Sequence, residues 1–142
     1  MSEHFRKLER MYHDAPIHDF FDPSLTIEEG RATLELPISE KYHHPAGAAH
    51  GTAYFKALDD AAFFAVNSLE EDVFMLTTQF NLYLTRPISE GKMTAVGEVV
   101  NENPNQYIAE AVLRDEDGNH LARASGSFQS SRIELTPEIG YE

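Results

Sequence analysis

Two adjacent aspartates, Asp59 and Asp60, stand in the run KALDDAAFFAV, where every other side chain after Lys56 is apolar. A carboxylate in an apolar helix costs free energy unless something pairs with it. Two kinds of chemistry answer that cost. One is a helix-surface ion pair with Lys56, which lies three residues before Asp59 and four before Asp60. The other is work as a nucleophile or general base at the edge of a cleft. Consecutive helical residues point about 100° apart, so the two aspartates cannot do the same job. The Lys56–Asp60 spacing is the usual one for an ion pair.

Just upstream, HHPAGAAHG gathers His43, His44 and His50 before Gly51. Histidines and aspartates together raise the question of a metal, but H-H-x5-H matches no standard ligand spacing, and a metal-free site is expected. His50 is read as a structural residue bonded to nearby backbone. His13, His18 and His120 are read as surface or loop histidines. Free backbone N–H groups at a helix N-terminus can polarise a carbonyl, and a glycine such as Gly51 lets the substrate approach closely.

The elements that must position these residues follow from periodicity. Residues 2–13 read as a short amphipathic helix with Phe5, Leu8 and Tyr12 on one side, ended by Pro16 and Pro23. LTIEEGRATLELPI reads as a hairpin around Glu29-Gly30. Residues 52–68 carry no Gly or Pro and are apolar on every face, the mark of a buried helix. VFMLTTQFNLYLTRP alternates, with Phe74, Leu76, Phe80, Leu82 and Leu84 on one parity and Thr77, Gln79, Asn81 and Thr85 on the other, polar one. Three more strands follow, separated by turns at NENPNQ and DEDGN. The order predicts an α+β fold in which a curved antiparallel sheet, its last strands a meander, wraps one central helix. Residues 1–23 form an N-terminal helix and loop, 24–132 the main domain and 133–142 a tail, all within one domain.

Composition narrows the function. The chain has 142 residues, 42% hydrophobic, which suits one globular domain. It has no cysteine, which excludes disulfides, thiolate metal sites and a Cys nucleophile. No signal-peptide core or membrane-spanning run is visible, so a cytoplasmic protein without a membrane partner is expected. A formal net charge of −13 repels phosphate backbones and argues against nucleic acid as a partner. An anionic ligand would need a local basic patch, for which Lys56, Arg86, Lys92, Arg123 and Arg132 are available.

His50-Gly51 at the front of the central helix, Asp59 nine positions after His50, the strand exit LTRP and the late DEDGNHLARASGSF together resemble the hotdog-fold thioesterases. The likeness is to their phenylacetate-pathway type of acyl-CoA thioesterase, within the 4-hydroxybenzoyl-CoA thioesterase-like superfamily, and covers roughly residues 24–130. In that branch a His-Gly-Gly opens the helix, and here Thr52 replaces the second glycine. An Asn often precedes the His by six residues, and here that position is His44. The resemblance implies hydrolysis of an acyl-CoA to free acid and CoA, with no cofactor, since coenzyme A is part of the substrate. It makes Asp59 the nucleophile or general base, the Gly51 N–H the carbonyl polariser, and Thr77 a hydroxyl that orients the water or the acid. His44 would be a polar contact beside the carbonyl, with His50 supporting the loop. Asp60, Thr78, Arg86, Phe55 and Phe63 are the candidate substrate contacts, Arg86 for a CoA phosphate and the aromatics for an acyl pocket. Competing readings are a hotdog dehydratase or hydratase and a non-catalytic acyl-CoA-binding module.

Gly51 and Asp59 are eight helical steps apart, roughly 12 Å along the axis. Reacting atoms must come within about 3.5 Å, so one thioester cannot use both residues of one helix. A homodimer with two shared sites is therefore expected, with pairing into a homotetramer left open.

Overall fold

The computed structural model describes residues 2–142. Helix α1 (Ser2–His13) buries Phe5, Leu8 and Tyr12, the stripe that its spacing predicts, and also His4 and Met11. A 3-10 turn, Pro16–Asp19, follows, and then β1 (Ser24–Glu28) and β2 (Arg31–Pro37) form the expected hairpin around Gly30, whose φ is 71°. Helix α2 (Gly51–Asn67) comes next, then β3 (Val73–Leu84), β4 (Lys92–Asn103), β5 (Gln106–Arg114) and β6 (His120–Glu134). A last 3-10 turn, Pro137–Ile139, lies near the C-terminus.

The six strands make one antiparallel sheet in the order β1-β2-β4-β5-β6-β3. Wrapped around the single long helix, this is the hotdog fold expected from the element order. Strands β4, β5 and β6 form a meander, but β3 departs from it. It pairs with β6 at the far edge, and β4 pairs with β2 instead. The period-two pattern of β3 says how its faces are used, and carries no information about its neighbour.

Helix α2 is held at both ends by side chains. His50 is its N-cap, with Nδ1 accepting from the Thr52 N–H at 3.0 Å. At the other end Asn67, fully buried, donates to the carbonyls of Glu70 and Val73 and accepts from the Met75 N–H at 2.9 Å. That one amide fixes the path from helix into β3. Buried His4 donates from Nε2 to the Asn67 carbonyl at 2.9 Å and accepts from Tyr141 at 2.7 Å, so α1 and the C-terminal tail are tied to the same point.

The sheet meets α2 through small residues: Ala95, Ala109, Ala111, Ala122 and Ala124 are all buried. Gly97 is the closest approach. A Cβ there would overlap the Ala61 carbonyl and stand 2.6 Å from the Ala62 nitrogen. Backbone has nowhere to go in a packed core, so overpacking is costly. Gly97→Ala is expected to lose about 3 kcal/mol of stability, the upper end of such penalties, read as an earlier midpoint in guanidinium unfolding.

Candidate active site

Asp59 lies in the third turn of α2, and Thr77 Oγ1 from β3 donates to its Oδ1 at 2.9 Å. This is the contact with the acid that the family resemblance implies for Thr77, but the single strand parity read from the sequence does not run the length of β3. Two register shifts interrupt β3, between Val73 and Met75 and between Thr77 and Gln79. Before the second shift, fully buried Met75 and Thr77 face the helix, while Leu76 is 45% exposed. After it, Phe80 and Leu82 pack against the core. One extra residue reverses every later side chain. Thr78, at the irregularity, turns away and donates to the Ser127 carbonyl at 3.0 Å.

Asp60 has a different environment one residue on. Its Oδ2 accepts from the Tyr12 hydroxyl at 2.6 Å and pairs with Lys56 Nζ at 2.7 Å, the i,i+4 pair that the spacing predicts. Lys56 also donates to His18 Nε2 at 2.9 Å and sits 5.1 Å from the Tyr12 ring centre. Burial and the Lys56 charge hold His18 below its ordinary range, which suits a neutral ring accepting from an ammonium. Burial and the Asp60 charge keep the Tyr12 phenol far above its ordinary range, so it stays a donor.

Asp59 is pushed up to about 6, first by burial and then by the charge of Asp60, with the Thr77 bond and Lys56 opposing. A cleft of about 790 Å³ opens beside Asp59 and Thr77. Phe63, Phe64 and Phe74 form its inner wall, and residues from 11–18 and 133–140 form the outer one. Those outer residues, His18 included, escaped the sequence reading. His18 is not an ordinary loop histidine, since it is bonded to Lys56 at the cleft, but no spacing in the sequence links residue 18 to residue 56.

The other candidates fall elsewhere. Gly51 is the first residue of α2, and its N–H has no hydrogen-bond partner among the described residues. His44 Nδ1 accepts from the Ala46 N–H at 3.1 Å within its own loop, and His43 donates to the Ser89 carbonyl at 2.9 Å. Among the described residues, no three metal-binding side chains gather. Phe55, expected in an acyl pocket, is 43% exposed, outside the cleft, and stacked edge-on against Phe80. It stands about 80° around α2 and two turns before Phe63, which does line the cleft. Arg86 is exposed at the exit of β3, close enough to help hold the Asp115 carboxyl below its ordinary range.

Residues 46–122, just over half of the chain, match the model of the thioesterase superfamily. The chain belongs to the thioesterase superfamily. It is a thioester hydrolase by class. It is 25% identical over 137 residues to an esterase-named protein of Saccharolobus solfataricus, covering 95% of this chain and 98% of that one. It is 27% identical over 93 residues to the 1,4-dihydroxy-2-naphthoyl-CoA hydrolase of Listeria monocytogenes, covering 65% of this chain and 76% of that one. Among solved structures, the Escherichia coli PaaI protein of the phenylacetic acid degradation operon has the same fold, with a TM-score of 0.86 at 15% identity over 95% and 98% of the two chains.

A buried carboxylate with a raised pKa strains the native state when it ionises. The sign follows from proton binding: the folded form holds its proton up to about pH 6, the unfolded form only to about 3.8. The penalty is absent below pH 4, grows between 4 and 6, and is complete above that. Asp59→Asn is therefore expected to stabilise the protein by about 1–3 kcal/mol at pH 8, with the gain vanishing near pH 4 in paired denaturant titrations.

Proposed function

We propose that this protein is an acyl-CoA thioesterase in which Asp59 drives hydrolysis and coenzyme A enters only as part of the substrate. The observation that carries this reading is a single one. A carboxyl with a pKa of about 6, oriented by a hydroxyl 2.9 Å away, faces a cleft with apolar walls. Such a group is mostly ionised at neutral pH yet remains basic enough to accept a proton.

The chemistry has two routes. As a base, Asp59 takes a proton from water while the water oxygen attacks the thioester carbon. As a nucleophile, its own oxygen attacks and an anhydride is then hydrolysed. In both, the negative charge on the carbonyl oxygen is met by the Gly51 N–H at the positive end of α2, and the C–S bond breaks to release the CoA thiolate. Thr77 holds the carboxyl in place and lowers the cost of its charge. His50 supports the site by capping the helix, and His44 by closing the loop before it. Asp60 neutralises Lys56 and does not enter the reaction. Arg86, exposed at the surface beside Asp115, is the residue best suited to a CoA phosphate, and the reading needs neither a metal nor a second cofactor.

Gly51 and Asp59 share one helix and stand about 12 Å apart along it, so each site takes one of them from each subunit. β3 is an edge strand of twelve residues with Leu76, Tyr83 and Leu84 exposed, which supports a homodimer formed there. Assembly into a tetramer is compatible with this arrangement. A cytoplasmic location fits the reading as well. A dehydratase would pair a loop histidine with the helix acid, and His43, His44 and His50 are bonded elsewhere.

Asp59→Asn is expected to reduce kcat by at least about a hundredfold, within the usual range for losing an acid–base group, while wild-type kcat/KM rises with pH through a midpoint near 6. Thr77→Val is expected to slow turnover and shift that midpoint upward, because it removes a bond that favours the carboxylate. Gly51→Pro removes the polarising N–H at a position that tolerates proline, since it is the first helical residue and His50 before it is extended at φ −63°, ψ 150°. Folded heterodimers of Asp59→Asn with Gly51→Pro should regain activity in one site of two. Binding of acyl-CoA without CoA release in the wild type would reject the thioesterase in favour of a binding module.

A further inference from the structure

The two sides of the cleft come from different parts of the chain. Asp59, Thr77, Phe63, Phe64 and Phe74 all lie inside the stretch that matches the superfamily, residues 46–122. The outer wall lies outside it, in the turn Pro16–Asp19 and in the segment from Ile133 to Gly140.

The unsatisfied apolar surface of the cleft is on that outer wall, and it is aliphatic. Ile17 is 50% exposed, Ile133 48% and Ile139 39%. Of the inner aromatics, Phe74 is partly buried and the other two are covered. Phe63 is 8% and Phe64 5% exposed, with Phe63 packed on Phe74 at 5.1 Å and Phe64 on Tyr12 at 5.1 Å. A compact aryl group beside Asp59 would leave the isoleucines in water, whereas an extended chain would reach them. The charged residues along this side, Asp14 and Glu138, are acids. Among the described residues, the one ammonium that lines the cleft, Lys56, is already paired with Asp60, so a second carboxylate brought among them would be repelled. The wall is also held in place: His18, in the same turn as Ile17, is bonded to Lys56, which Asp60 and Tyr12 fix in turn.

Building on the thioesterase reading, we infer that Ile17, Ile133 and Ile139 form an acyl-chain wall that selects extended, uncharged aliphatic acyl groups over short, aryl or carboxylate-ended ones. Each methylene laid on this surface leaves water, and a fully buried methylene is worth about fourfold in affinity. On an open wall about twofold per methylene is expected, until the chain fills the cleft.

The test is kcat/KM on straight-chain acyl-CoAs from two to twelve carbons, with phenylacetyl-CoA and adipoyl-CoA as comparisons. The expected result is a rise of about twofold per methylene, with decanoyl-CoA at least tenfold better than phenylacetyl-CoA and hexanoyl-CoA at least tenfold better than adipoyl-CoA. Ile17→Asp and Ile139→Asp, both at exposed positions, should each lower the decanoyl-to-butyryl ratio of kcat/KM at least tenfold, mainly through KM. A flat chain-length profile, a preference for the aryl substrate, or variants that keep the wild-type ratio would overturn the inference. So would loss of the dimer in either variant by sedimentation, since the isoleucines would then be covered by a subunit. Calorimetric titration with the non-hydrolysable thioether analogue of decanoyl-CoA separates the two proposals: binding that Ile139→Asp weakens at least tenfold upholds the wall even if no thioester is turned over, and no binding to the wild type rejects it even if thioesters are cleaved.

Discussion

Two carboxylates on one buried turn of helix repel each other, and the surroundings of α2 are arranged around that repulsion. Asp60 is given a full complement of partners, an ammonium at 2.7 Å and a phenol at 2.6 Å. Asp59 is given one hydroxyl and the edge of a cleft. The same helical geometry that puts their side chains about 100° apart lets one be satisfied and the other be left basic. Burial of Asp59 would cost more than a hydroxyl could offset if Lys56 were absent, because the nearby charge would then be uncompensated.

The network that satisfies Asp60 reaches well beyond the helix. Tyr12 belongs to α1 and His18 to the turn after it, so the Lys56–Asp60 pair is also the bolt between the N-terminal segment and the core. His4 makes a second link from α1 to the end of α2 and to Tyr141. These two points hold the N- and C-terminal segments against the half of the molecule that carries Asp59, where they become the outer side of the cleft.

The close fit of α2 in the sheet is what allows such precision. Small residues along β4, β5 and β6, and Gly97 above all, bring the strands against the helix backbone. A helix so confined cannot rotate, and a rotation of even one residue, about 100°, would take both Asp59 and Asp60 away from their partners. The irregularity in β3 performs the complementary task from the sheet side, by turning Thr77 toward the helix.

Much of this was legible before any coordinates. The buried helix, the hairpins at Gly30 and in DEDGN, and the Lys56–Asp60 pair all depend on contacts within a few residues, where periodicity and i,i+4 spacing carry the information. Asp59 was legible as the candidate acid through its distance from His50-Gly51. The tertiary structure alone decided three things. It set the place of β3 beside β6, because a strand's pattern specifies its faces and leaves its neighbour open. It set which face of β3 each residue occupies on either side of the irregularity and packed Phe55 against Phe80 outside the cleft beside Asp59, because both depend on how the elements fit together. And it brought Ile17 and His18 to a site whose acid is more than forty residues away, along with a tail still farther down the chain. Contacts of that range are settled by packing, in which each residue's partner is chosen by the whole core rather than by its neighbours in sequence.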